Sequence, residues 1–120
     1  MIWIVMAGLS GALAVVAGAF GAHGLRDRVS PEQISAWTTA SQYHLLHSVV
    51  LLALALYALD AQASIRLQGS LFTAGVVLFS GSIYLLVLTE QRWLGPVTPI
   101  GGLLLIAGWG SLLFLARPTH

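Results

Sequence analysis

The sequence predicts an all-α integral membrane protein, a four-helix bundle with short loops. Of its 120 residues, 58% are hydrophobic and 8% are charged, whereas soluble domains have about 45–50% and about 25% respectively. The apolar residues form four stretches, each near the length of roughly 20 residues that crosses a bilayer as a helix. The connecting segments are short and leave no room for a soluble domain. We therefore expect a single four-helix transmembrane domain over residues 1–120.

The predicted spans cover residues 2–22, 42–59, 69–89 and 99–116. The first has no charged side chain before its apolar run and is long enough to span, so we interpret it as a retained helix rather than a cleaved signal peptide. In the segment SPEQ, a capping serine at Ser30 and a glutamine at Gln33 flank a first-turn proline, which predicts a helix start at Pro31. That helix would continue past Trp37, an aromatic residue suited to the membrane interface. Thr98 and Pro99 form a similar start signal for the fourth span.

Four spans place the N- and C-termini on the same side of the membrane. Arginines are slightly more numerous on the opposite side, which the positive-inside rule associates with the cytoplasm. That side has Arg26, Arg28 and Arg92, and the side of the termini has Arg66 and Arg117.

Polar side chains concentrate at the side opposite the termini. His23 ends the first span, and His44 and His47 begin the second, three residues apart and thus able to share a helix face. We expect these three histidines to converge there. The candidate ligand-binding residues are His23, Tyr43, His44, His47, Tyr84 and Glu90. The alternative role is structural, with imidazoles hydrogen-bonded to backbone carbonyls and to each other.

The three histidines are also candidate metal ligands. Three imidazoles are enough to bind zinc, copper or iron, and a histidine pair can hold haem. However, no carboxylate follows at metal-ligand spacing, and neither H-E-x-x-H nor G-x-S-x-G occurs. We therefore predict no catalytic residue, no metal site and no cofactor, with haem or a metal at the histidines as the minor alternative. The absence of cysteine excludes disulfides and thiolate ligands, and a net charge of +1 excludes a nucleic-acid-binding face.

Small residues recur inside the spans, where they allow membrane helices to approach closely. The predicted helix-packing residues are Gly18, Gly21, Gly81, Gly101, Gly102 and Gly108. In the third span, three- and four-residue steps place one set of side chains on a single face: Thr73, Val77, Ser80 and Tyr84. Trp109 lies well inside the fourth span, so its indole N–H needs a hydrogen-bond partner.

Four blocks carry a resemblance to a known family: GAFGAHGL, TTASQYHLLHSVVLL, FSGSIYLL and VTPIGGLLLIAGW. In this order they resemble the domain of unknown function 423 family of small inner-membrane proteins, to which animal transmembrane protein 256 is similar. The resemblance implies a four-helix multi-pass protein, located in bacteria in the plasma membrane, and implies no activity. Many members begin the second helix closer to YQ-x-x-HA, so His44 departs from the pattern. His23 and His47 match it better as site residues.

Two functional hypotheses follow, neither of them an enzyme, and a membrane enzyme or haem protein comes third. The first is a membrane scaffold or accessory subunit, embedded in the lipid bilayer as a homo-oligomer or as part of a larger complex, without a nucleic-acid partner. It predicts that the glycine faces matter and that single His→Ala changes are mild. The alternative is a small-solute or proton transporter, or a ligand-binding protein, with a polar histidine-containing site at one membrane face. It predicts that His23→Ala or His47→Ala abolishes function in a folded protein.

Overall fold

The computed structural model describes residues 1–116, and in them the chain forms four long helices joined by short loops. The helices are α1 (Ile2–His23), α2 (Pro31–Ala61), α3 (Arg66–Thr89) and α4 (Val97–Ser111). A 3₁₀ turn, Arg92–Leu94, precedes α4, and a second one, Leu112–Phe114, follows it. Each of the four helical segments, α4 taken with its flanking turns, is long and apolar enough to cross a membrane. The predicted all-α class, with four helices long and apolar enough to span, is confirmed.

The start of α2 is a capping box, as the SPEQ segment predicts. The Ser30 hydroxyl accepts a hydrogen bond from the backbone N–H of Gln33 at 3.2 Å, and the Gln33 amide oxygen accepts one from the backbone N–H of Ser30 at 2.9 Å. From Pro31 the helix runs without interruption to Ala61. Its length is about 46 Å at a rise of 1.5 Å per residue, well beyond a hydrocarbon layer of about 30 Å.

We expect Ser30→Ala to lower the free energy of unfolding by about 1 kcal/mol, within the range of 0.5–2 kcal/mol measured for lost N-caps. The reason is that the backbone N–H of Gln33 in the first turn of α2 loses its partner, the Ser30 hydroxyl. The measurement is reversible unfolding in mixed micelles of a mild detergent and dodecyl sulfate, followed by helical circular dichroism. Ser35→Ala, at an exposed position of the same helix, is the matched control. An equal loss in both variants would contradict a role for the cap.

The helices pack in chain order, α2 against α1 and α3, and α3 against α4. At one end of the molecule, the Trp3 ring of α1 lies over Gly69 of α3, where an added Cβ would come within 2.6 Å of it. At the same end, the Gln68 side-chain amide donates to the Ser111 carbonyl at 3.1 Å. The start of α1 and the end of α4 therefore lie together. Arg117, assigned above to the side of the termini, lies outside the described residues.

Helices α3 and α4 approach each other through glycine. Gly101 lies directly against the backbone of Leu78 and Phe79, so closely that a Cβ at this position would overlap it. Gly108 faces the Phe72 ring, where a Cβ would come within 2.9 Å. Gly101 requires the absence of a side chain for this contact, whereas a methyl group at Gly108 would have to displace the Phe72 ring.

The other predicted packing glycines differ in how tightly they are enclosed. On α1, Gly21 lies against the Trp37 indole, whereas Gly18 is in ordinary contact distance of Ser41. Gly102 has ordinary contacts with Phe79. Gly81 has open space, since an added Cβ would have no atom of another helix within 4 Å among residues 1–116. The packing interpretation therefore does not hold for Gly81, because this residue faces a groove rather than another helix.

Candidate functional site

His47 connects α2 to α4 through both of its ring nitrogens. Nδ1 lies 2.7 Å from the Tyr43 carbonyl, and Nε2 accepts a hydrogen bond from the indole N–H of Trp109 at 3.1 Å. A carbonyl only accepts and an indole N–H only donates. The imidazole is therefore neutral, with its proton on Nδ1, and neither nitrogen is left for another partner. The predicted need of Trp109 for a partner is confirmed.

His44 is bonded on one side only. Its Nδ1 lies 3.0 Å from the Tyr84 hydroxyl, and Nε2 has no hydrogen-bond partner among residues 1–116. If the phenol donates to Nδ1, the proton of the imidazole is on Nε2 and remains unused. If Nδ1 donates to the phenol, the phenolic proton remains unused. In both tautomers the pair retains one free donor.

An aromatic cluster holds this pair in place. The Trp37 ring packs on the Tyr84 ring with centroids 4.6 Å apart, and the Trp37 indole N–H donates to the Ala17 carbonyl of α1 at 2.7 Å. Trp37 is 4% exposed. The opposing Gly21 leaves room for the indole between α1 and α2, so Trp37 packs inside the bundle.

The two histidines of α2 lie near the middle of the helix rather than at its end. The Ser80 hydroxyl of α3 donates to the Ala40 carbonyl at 2.7 Å, which sets the register of the two helices, and His44 lies one turn further along. The predicted position at one face of the bundle is therefore wrong for His44 and His47. The prediction placed the membrane face near residue 42, whereas the pairing of Ser48 with Ser10 puts His44 and His47 beside the middle of α1.

His23 does not join the other histidines. It is exposed at the last residue of α1, whereas Ser10 of α1 pairs with Ser48 of α2 at 2.6 Å. This register separates His23 from His47 by about 18 Å along the helix axis. The predicted convergence of three histidines is therefore wrong, and residues 1–116 contain no cluster of three or more His, Asp or Glu side chains suited to a metal ion.

Glu90 also lies away from the buried histidine side chains, whereas the Tyr43 ring contacts the His47 ring with centroids 5.9 Å apart. Glu90 is exposed at the C-terminus of α3, where it adopts a left-handed backbone conformation with φ of 58°. Tyr43 is 44% exposed, and its ring stacks on Phe79 at a centroid distance of 4.9 Å. Only its backbone carbonyl bonds to His47.

A groove opens between α1 and α3, with α2 as its floor. Its volume is about 680 Å³, and its lining includes the buried side of His44 and His47 together with the outward face of α3. The α3 residues predicted to share one face all line it: Thr73, Val77, Ser80 and Tyr84. The Thr73 hydroxyl is buried and, within residues 1–116, has no hydrogen-bond partner. Sequence reasoning found this face but not the groove, since the groove depends on how far α1 lies from α3.

Comparison with known proteins gives a family. The family model for "Protein of unknown function (DUF423)" matches residues 17–102. The UPF0382 membrane protein YwdK of Bacillus subtilis is 40% identical over 117 residues, which are 96% of this chain and 95% of that protein. No solved structure matches.

Two further relatives show how widely the similarity extends. The UPF0382 membrane protein SAB0533 of Staphylococcus aureus is 40% identical over 112 residues, covering 93% of this chain and 92% of its own. The UPF0382 membrane protein C1782.12c of Schizosaccharomyces pombe is 42% identical over 118 residues, which are 93% of this chain and 98% of that protein. With a family model over most of the chain and full-length relatives in bacteria and yeast, the chain belongs to the DUF423 family of multi-pass membrane proteins.

Proposed function

We propose that the protein is a structural membrane subunit, a scaffold or accessory subunit of the bacterial plasma membrane. The observation that carries this proposal is that its polar side chains bond helix to helix. Ser10 bonds to Ser48 between α1 and α2, and Ser82 bonds to Thr98 at 2.5 Å between α3 and the start of α4. His47 and Trp109 join α2 to α4. Such bonds stabilise a bundle in lipid, where apolar burial gives no drive for helix association.

The distribution of charge supports the same proposal. Intramembrane charged residues mark ion and proton pathways. Within residues 1–116, every charged side chain is exposed in a loop or near a helix end: Arg26, Asp27, Arg28, Glu32, Asp60, Arg66, Glu90 and Arg92. The imidazole of His47 is neutral and has both nitrogens bonded. This arrangement favours a structural role over proton or ion transport.

The outer faces of the bundle support assembly with other chains. Only Ala7, Ala14 and Gly21 are buried on α1. On α4, Leu103 and Ile106 are more than 60% exposed. We expect a homo-oligomer, or a subunit of a larger membrane complex, with the N- and C-termini on one side of the bilayer.

Native mass spectrometry from lipid nanodiscs tests the assembly, and reconstituted proteoliposomes loaded with a pH-sensitive dye test transport. We expect a homo-oligomer or a defined complex, and no proton flux above that of empty liposomes, with a proton ionophore as the positive control. A saturable flux that disappears in folded His47→Ala would contradict the structural role. So would a protein that remains monomeric and captures no partner when purified from its native membrane.

A further inference from the structure

We propose that the groove between α1 and α3 binds a neutral, lipid-soluble molecule with a planar, carbonyl-bearing head and a hydrocarbon tail, a compound of the quinone type. This site is independent of the structural role proposed above, since a chain can hold such a molecule whether or not it assembles with others. Three properties of the groove specify the ligand: unused hydrogen-bond donors, an aromatic wall and an apolar remainder.

The first property is the unused donor of the His44–Tyr84 pair. His44 is 7% exposed and lines the groove, and the pair keeps one free N–H or O–H in either tautomer. The buried Thr73 hydroxyl, about 16 Å further along α3, is a second polar group on the groove without a partner in residues 1–116. Buried polar groups in proteins are almost always hydrogen-bonded. An acceptor oxygen on a ligand would satisfy the His44–Tyr84 donor.

The second property is the aromatic wall beside this donor. Phe20, Trp37 and Tyr84 line the same part of the groove as His44. The Phe20 and Trp37 rings are tilted against each other with centroids 5.7 Å apart, and Trp37 packs on Tyr84. Aromatic faces and edges favour a flat, conjugated partner. A planar ring that carries a carbonyl oxygen fits this combination of wall and donor.

The third property is the rest of the lining, which is aliphatic. Leu9, Leu13 and Val16 of α1 face Val76 and Val77 of α3 across the groove. Among the described residues the lining contains no charged side chain, so the ligand must be neutral. The volume of about 680 Å³ lies within the range of roughly 300–1,000 Å³ that small-molecule sites occupy. A hydrocarbon tail would run along these side chains.

Depth in the bundle selects a free lipophilic molecule over a phospholipid. His44 is close in register to Ser80 and lies near the middle of α2, whereas the ester oxygens of phospholipids lie at the edge of a hydrocarbon layer about 30 Å thick. A second copy of the chain fits less well. The exposed aliphatic side chains of α1 and α4 offer no acceptor for the unused donors.

Quenching of tryptophan fluorescence by a decyl-substituted benzoquinone tests the proposal, with the protein in nanodiscs of saturated phosphatidylcholine. Trp37 lines the groove, so bound quinone should quench it with a saturable dependence on concentration. Gly81→Leu fills the groove and should raise the Kd at least about tenfold, by direct exclusion of the ring. Gly110→Leu is the matched control, because both glycines have open space for a Cβ but Gly110 does not line the groove. It should leave the Kd unchanged.

Two more variants keep the test independent of folding defects. Tyr84→Phe combined with His44→Phe removes every hydrogen-bond donor of the pair but keeps a ring at each position, and should raise the Kd about two- to tenfold. Val77→Phe, at a position 60% exposed on the groove wall, replaces Gly81→Leu if that variant loses its helical circular dichroism. Linear quenching that is equal in the parent and in the groove-filling variants would overturn the proposal. So would a disulfide between two copies of the Val77→Cys chain in nanodiscs, because it would place a second copy in the groove.

Discussion

Gly101→Ala is expected to force α4 away from α3. The added methyl group would overlap the backbone of Leu78 and Phe79, and a backbone cannot move aside as a side chain can. Overpacking in a core costs typically about 1–3 kcal/mol and occasionally more. We expect a loss of about 3 kcal/mol in the free energy of unfolding, measured by reversible unfolding in mixed micelles, although alanine is intrinsically the better helix former.

Two matched glycines give this prediction its controls. Gly110→Ala lies on the same helix, where the new Cβ would meet no other part of residues 1–116 within 4 Å beyond its own helical turn, and should be neutral or stabilising by up to about 1 kcal/mol. Gly108→Ala meets the Phe72 ring, a side chain that can rotate, and should fall between the two. If Gly101→Ala proved as stable as Gly110→Ala, the close approach of α3 and α4 would be refuted.

His47→Leu is expected to destabilise the bundle by about 2 kcal/mol. It removes the only acceptor that residues 1–116 provide for the Trp109 indole N–H, and a donor left unpaired away from water costs about 1–3 kcal/mol. Exposed His23 at the end of α1 supplies the control, since His23→Leu should change the free energy of unfolding by less than about 0.5 kcal/mol. A structural role thus predicts a substantial effect at His47, in contrast to the mild effect expected from the sequence.

A double-mutant cycle separates the hydrogen bond from the general loss of packing. Trp109→Phe removes the indole N–H, and the cycle with His47→Leu should give a coupling energy of about 0.6–1.7 kcal/mol, the range found for hydrogen bonds between membrane helices. Strictly additive effects would show that the two side chains do not stabilise each other. The measurement is again unfolding in mixed micelles, with helicity as the readout for all four proteins of the cycle.

Local patterns in the sequence predicted much of the fold. Four apolar stretches predicted four helices, because segments of that length and composition cross a bilayer as helices. The segment SPEQ predicted the start of α2, since a capping box depends only on four adjacent residues. The steps between Thr73 and Tyr84 predicted a common face because side chains three and four residues apart lie together on any helix.

The candidate site was predicted less well, and the reasons are specific. Hydropathy marks the apolar part of a helix but not its ends, so the long polar start of α2 led to His44 and His47 being placed at a membrane face. Glu90 and His23 are near His44 and His47 in a diagram of four spans. In the structure they lie at helix termini, where the chain turns. His44 bonds to Tyr84 of α3, and His47 bonds to Trp109 of α4, so their partners come from two other helices.

The sequence by itself determined that this protein is built from four helices in lipid, because the solvent preference of a segment follows from the residues within it. Only the tertiary structure decided which side chains meet. Helix register, set by contacts such as Ser80 with the Ala40 carbonyl, leaves one histidine with both nitrogens bonded and the other with a free one. The same register and the spacing of α1 from α3 open the groove at Gly81. These features depend on contacts between residues far apart in the chain, which no local pattern encodes.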